Sequence, residues 1–238
     1  MCISMQLSTT QAALEARFKR RFNTSGQLEL PIHFANAFTQ PEWPVVTTEA
    51  PHELGPMNWG FVPSWAKVEP KEFLRTRMTY NCVSEEAAEK PVFRDALKRG
   101  RRCLIPVTKF FEHHHTGKGA KAPKIPYAIG LKDDEIFSLG GLYENGTFTI
   151  LTTAAGPLMS RIHNSKGRQV VVVPRAFEND WLNPLLTTED VLRFCQPIAD
   201  EDFTHWPISK RITQRDVDPN VPDITEPVEY PEFADVLP

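Results

Sequence analysis

Apolar residues in this chain fall into short runs bounded by Gly and Pro, with only brief stretches of helical spacing, so strands are expected to outnumber helices. The segment around Cys2 reads as a short strand. Thr9 and Thr10 then offer an N-cap, and Leu14, Phe18 and Phe22 share a helical face, which predicts a helix over residues 10–22. Residues 23–56 are rich in Pro and aromatics and read as loop and edge strand. Residues 57–62 form a buried strand broken at Pro63, with residues 64–67 on a loop. Residues 80–83 predict a short strand and residues 84–90 a helix. A second helix over residues 93–99 stops at Gly100.

The most strand-like part follows. Residues 102–106, 109–113, 127–131, 136–143 and 147–153 succeed one another without long helices, and Asn145-Gly146 is a type I′ hairpin signal. A helical turn over residues 157–163, a buried strand over 169–173 and helices over 174–181 and 188–194 complete the pattern. Consecutive strands favour an α+β fold over a doubly wound one. The expectation is a single domain of mainly antiparallel β-sheets forming a barrel-like core with peripheral helices. It would span residues 1–212, followed by an acidic, Pro-rich tail over 213–238 that is extended on the surface or disordered.

Composition narrows the class. With 238 residues, 41% hydrophobic and 24% charged, the chain is an ordinary globular one. No stretch approaches the ~18 apolar residues of a membrane helix and no signal pattern opens the chain, so a cytoplasmic protein without membrane contact is expected. Cys2, Cys82, Cys103 and Cys195 are scattered, which argues against a disulfide framework or a zinc ribbon. The net charge is −3, yet residues 90–124 carry ten Lys or Arg against Asp95 and Glu112, while the tail is strongly acidic. A basic middle of this kind suits a phosphate-bearing partner.

The common catalytic motifs are absent, so the chemistry must be sought residue by residue. Removal of Met1 would leave Cys2 with a thiol and a free α-amine, a 1,2-aminothiol whose groups titrate near ~8.5 and ~7.7–8.0 and need no help from the fold to be partly nucleophilic. Glu112 follows Phe110 and Phe111 in an apolar strand, where a carboxyl pKa is pushed upward. His163 ends an apolar turn, and Asn81 is a lone amide opening a strand. His113, His114 and His115 point alternately to opposite faces of a strand and cannot converge on one ion, so neither metal nor other cofactor is expected.

Taken in order, several segments resemble the SOS-response-associated peptidase family, also called the abasic-site-processing or SRAP domain. They are Met1-Cys2, residues 59–66 from Trp59 through Pro63 and Trp65, Asn81-Cys82-Val83-Ser84-Glu85, and residues 89–94 ending at Arg94. Residues 102–106, Phe110-Phe111-Glu112, residues 148–154 and residues 157–163 complete the set. The resemblance spans roughly residues 1–183.

It implies that Cys2, freed by loss of Met1, condenses with the ring-opened aldehyde of an abasic site in single-stranded DNA to give a thiazolidine crosslink. Matching positions would make Glu112 the acid–base group and His163 a proton relay, with Asn81 positioning the Cys2 amine or the sugar. Trp59, Pro63 and Trp65 would border stacked bases, Arg94 would hold phosphate, and Thr152 would line the pocket. The partner is then abasic single-stranded DNA and the protein a monomer. Ile3 and Ser4 replace the family's Gly-Arg, Val83 replaces an Arg, His113 replaces a Trp, and Asn164 to Arg168 replace an Asp-Arg-Met-Pro run. Lys166 and Arg168 are candidates to restore the lost charge. Two other readings stay open on the residues alone: an N-terminal-nucleophile amidohydrolase or glutamine amidotransferase, and a non-covalent single-stranded-DNA module with an inert Cys2.

Overall fold

The computed structural model describes residues 2–23, 28–117, 119 and 122–235 as one α+β domain; Met1, Lys118 and Lys121, which entered the reading above, lie outside the described residues. In chain order the strands are β1 (Ser4–Leu7), β2 (Arg21–Phe22), β3 (Ile32–Asn36), β4 (Glu42–Thr47), β5 (Glu53–Trp59), β6 (Asn81–Val83) and β7 (Arg102–Val107). They continue with β8 (Lys109–His115), β9 (Lys124–Leu131), β10 (Phe137–Glu144), β11 (Thr147–Ala154), β12 (Arg168–Val170), β13 (Val172–Val173) and β14 (Phe203–Pro207). The α-helices among the described residues are α1 (Gln11–Phe18), α2 (Pro70–Thr76), α3 (Pro91–Lys98), α4 (Pro157–Ile162), α5 (Glu178–Trp181) and α6 (Thr188–Phe194).

Two sheets result. One is antiparallel throughout, in the order β14-β9-β8-β1-β3. The other runs β12-β11-β10-β7-β4-β5-β2, with β13 on β10 and β6 on β11. A parallel pairing of β11 with β5 closes β11, β10, β7, β4 and β5 into a ring, so the mainly antiparallel expectation holds with parallel rungs at β2, β6 and this closure. The chain passes from one sheet to the other at Thr108, whose N–H and hydroxyl both bond Gln6. That corner carries β8 directly out of the ring and sets it beside β1.

Local chemistry explains where the elements depart from expectation. Thr10 caps α1 as read, but Lys19 adopts φ 53° and ends the helix, freeing Arg21 and Phe22 to pair with β5. Residues 23–56 are not mainly loop, because β4 lies between β5 and β7 with residues 43–47 buried. Its proline misleads: Pro44 lies opposite Pro56, so two missing amide donors fall on the same rung. β5 ends at Trp59, well before Pro63, because Gly60 follows with φ +135° and a Cβ there would stand 2.6 Å from Leu74. The hairpin at Asn145 and Gly146 has positive φ at both residues, 50° and 67°, as a type I′ turn requires. Residues 84–86 form a single 3₁₀ turn rather than a helix, and β14 has no counterpart in the sequence reading.

The acidic segment beyond residue 213 packs onto the face of the five-stranded sheet that the main core leaves open. Ile224 is fully buried with Phe34, Phe111, Ala128, Ile208 and Ile212. Asn220 accepts from the N–H groups of His33 and Phe34, Trp206 donates to Thr225 and Tyr230 donates to the Ile208 carbonyl. Its acidic side chains all remain exposed, so charge faces water while Ile224 and Val221 face the sheet. Ile224→Ala is expected to cost about 2–5 kcal/mol of unfolding free energy, measured by chemical denaturation, since it leaves a cavity over Phe111.

Candidate active site around Cys2

Three segments far apart in sequence converge on Cys2. Asn81, at the start of β6, donates its amide to the Cys2 carbonyl at 2.6 Å, while Ala37 donates its N–H to the next carbonyl, that of Ile3, at 2.8 Å. β6 reaches this position because it runs parallel to β11, with Asn81 beside Ile150. The Cys2 side chain is 1% exposed, and its thiol points to the Ser4 carbonyl at 3.4 Å. Burial pushes its pKa well above the thiol range, with the Glu112 carboxylate adding to the effect. The thiol therefore rests protonated, contrary to the expectation that it ionises without help from the fold; water exclusion disfavours the thiolate.

Glu112 comes from β8, whose alternation turns Phe110 into the main core and Phe111 into the second cluster. Its side chain is 4% exposed, and burial lifts its pKa to about 7 against the opposing charge of the amino terminus. His163 caps the end of α4, with its Nδ1 3.1 Å from the Arg168 carbonyl and 3.5 Å from Glu112 Oε2. Burial, followed by the charge at the amino terminus, lowers its pKa to about 4. Because a carbonyl can only accept, Nδ1 carries the proton and Nε2 carries the lone pair. At neutral pH the pair is thus a neutral imidazole beside a half-protonated carboxyl, rather than an ion pair. Asn81 Oδ1 is buried and has no hydrogen-bond partner, so it offers an acceptor to whatever enters.

The other expected residues are dispersed. Trp59 is fully buried, donates to the Tyr80 carbonyl at 2.9 Å and stacks on Phe148, so it packs the core and offers no face to a base. Pro63 is buried as well. Trp65 is 46% exposed and stands edge-on to Phe73. Arg94 bonds Asp95 at 3.0 Å. Thr152 is buried and donates to the Cys82 carbonyl at 3.3 Å, supporting the strand that carries Asn81. Arg168 grips Glu85 with two bonds of 2.9 and 2.7 Å and also bonds the Thr152 carbonyl, holding the Glu85 carboxyl down at about 2. Its charge is engaged within the protein, whereas Lys166 is exposed. Among the described residues no three His, Cys, Asp or Glu side chains are grouped to hold a metal. None of the helices there is long and apolar enough to cross a membrane.

Two exposed apolar side chains escape the sequence reading. Phe38, 54% exposed, follows Ala37 and meets Tyr80 edge-on at 5.3 Å, and Met78, 70% exposed, leads into the Asn81 strand. Both stand in stretches whose pattern signals nothing.

The Glu112 shift has a sign that can be checked. A carboxyl with a raised folded-state pKa binds more protons folded than unfolded, so its contribution is present at low pH and is lost as pH rises from its ordinary range to about 7. His163, depressed to about 4, contributes in the opposite sense and is lost on acidification. Relative to Glu112→Gln, which retains His163, the protein is expected to lose on the order of 2 kcal/mol between pH 5 and pH 8 in denaturant unfolding.

The family model described as SOS response associated peptidase (SRAP) matches residues 1–215. The abasic site processing protein YoqW of Bacillus subtilis is 32% identical over 178 residues, covering 71% of this chain and 75% of that protein. The abasic site processing protein HMCES of Xenopus tropicalis is 24% identical over 222 residues, covering 81% of this chain and 62% of that protein. A crystal structure of a protein from Bacteroides thetaiotaomicron superposes with a TM-score of 0.84 at 30% identity, covering 96% of this chain and all of that one. The match runs through the Cys2 segment and each segment around it, and this chain belongs to the SOS response associated peptidase (SRAP) family.

Proposed function

We propose that this protein processes abasic sites in single-stranded DNA by forming a covalent thiazolidine between Cys2 and the abasic aldehyde. The observation that carries the reading is the enclosure of Cys2 by Asn81 and by a carboxyl poised near neutrality, Glu112. Relatives named as abasic site processing proteins support the substrate class.

The chemistry begins once Met1 has left, because until then the Cys2 nitrogen is a peptide nitrogen. The free amine attacks the aldehyde carbon to give a carbinolamine. Protonated Glu112 then donates to its hydroxyl, water departs and an iminium remains. The Glu112 carboxylate so formed takes the thiol proton, and the thiolate adds to the iminium carbon to close a five-membered ring. Ring closure is intramolecular and favoured by proximity. This order suits a thiol that rests protonated and a carboxyl near pKa 7, which can give one proton and take another. His163, neutral with Nε2 unprotonated, is the base for opening the sugar ring, and Asn81 Oδ1 accepts from the amine or a sugar hydroxyl. Phe38, Trp65 and Met78 are exposed apolar side chains available for flanking bases to stack on.

The test is to mix the purified protein with single-stranded DNA carrying one abasic site, then follow it by denaturing gel and intact mass. A heat-stable adduct lacking Met1 is expected, absent in Cys2→Ala and in a variant with an unremovable residue before Cys2. Glu112→Gln should slow its formation by about 10²–10⁴-fold, and the rate should decline above about pH 7 as Glu112 loses its proton. A shift that vanishes on denaturation, or an adduct undiminished in Cys2→Ala, would sink the proposal.

A further inference from the structure

β8 pairs with β9 as far as His115, but on its other edge β1 reaches it only at Met5–Phe110 and Gln6–Lys109. Near the far end of the strand a side chain takes up the backbone. Asn164, the residue after His163, accepts from the His115 N–H through Oδ1 at 3.0 Å and donates from Nδ2 to the His115 carbonyl at 2.9 Å. A carboxamide carries one acceptor and one donor side by side, as a peptide unit does, so Asn164 imitates a rung of strand pairing. A second tie lies alongside: buried His114 donates from Nδ1 to the Arg161 carbonyl at 2.8 Å.

We infer that Asn164 is a positioning residue for the site, an amide latch that holds His163 at its distance from Glu112. This rests on the function proposed above. His163 lies between Arg161 and Asn164, and both are tied to the strand that carries Glu112. Its other backbone bonds, from its N–H to Met159 and from Lys166 and Gly167 to its carbonyl, are internal to the segment 159–167. Its ring bond to the Arg168 carbonyl fixes the tautomer and likewise stays local. Two polar ties join this segment to β8, and between them the Glu112 and His163 side chains meet at 3.5 Å. A cavity lined by His115, Gly117, Asn164 and Ser165 flanks the latch, so loss of the amide leaves space that water can fill.

Glu112 meets His163 directly, and His113 and His115 on β8 and the amino terminus act on it electrostatically, so a change of registry alters its titration. Asn164→Ala is expected to slow adduct formation by about 10–100-fold, the range that a misplacement of ~1 Å produces. It should also displace the pH–rate profile, and shift the NMR titrations of the Glu112 carboxyl and His163 imidazole in the protein alone. Asn164→Asp keeps the acceptor but sets a carboxylate oxygen against the His115 carbonyl, and should behave as Asn164→Ala does. Ser165→Ala, beside it in the same cavity, should keep the parent rate. A parent-like rate and titrations in Asn164→Ala overturn the latch. So does a slower rate with unchanged pH profile and titrations, which marks a merely structural anchor. The titrations need no DNA; if the parent protein forms no adduct, the proposed function fails and they alone decide the latch.

Discussion

The desolvation of one carboxyl group, Glu112, sets the electrostatics of the region around Cys2. Its side chain follows two phenylalanines on β8 that serve two different hydrophobic clusters, so water is excluded from both sides of the sheet. The same exclusion that raises Glu112 to about 7 depresses His163 to about 4 and keeps the Cys2 thiol protonated. Three titratable groups are thereby held neutral or nearly so beside one another, and for the carboxyl this reverses the state it would have in water. Holding a carboxyl that far above its ordinary range costs about 3 kcal/mol of differential solvation at neutral pH, a cost the surrounding packing must offset.

The architecture exists to deliver those groups to one point. β8 leaves the closed ring of strands at the Thr108 corner and places Glu112 beside the start of β1, where the Cys2 segment arrives. β6, a three-residue strand lying parallel on β11, brings Asn81 to the Cys2 carbonyl. α4 delivers His163 from another direction, and the side chain following it ties back to β8. The C-terminal segment seals the outer face of the strand behind Phe111. A segment that reads as solvent-facing acid therefore contributes to the dryness of the site.

Surface charge is arranged differently from what a tally of lysines and arginines suggests. Arg168 holds Glu85 and the Thr152 carbonyl and thus braces the strand of Asn81 against β12. Arg102 is fully buried and donates to carbonyls near the end of α5, and Arg101 pairs with buried Glu144. Two arginines of the basic middle, Arg101 and Arg102, are consequently structural.

The residues around which the site is built were legible in the sequence because each breaks a local pattern: a cysteine after the initiator, a carboxylate after two phenylalanines, an amide opening a strand, a histidine closing an apolar turn. Strand succession and the Asn145-Gly146 turn likewise announced the α+β class, since hairpin geometry is set by neighbouring residues. Tertiary structure alone decided that β4 is central despite Pro44, that Trp59 is core while Trp65 is exposed, and that Ile224 covers the sheet. It also decided the protonation of Cys2. A thiol's pKa depends on the water removed by residues scores of positions away, and spacing along a chain does not record which distant segments will exclude it.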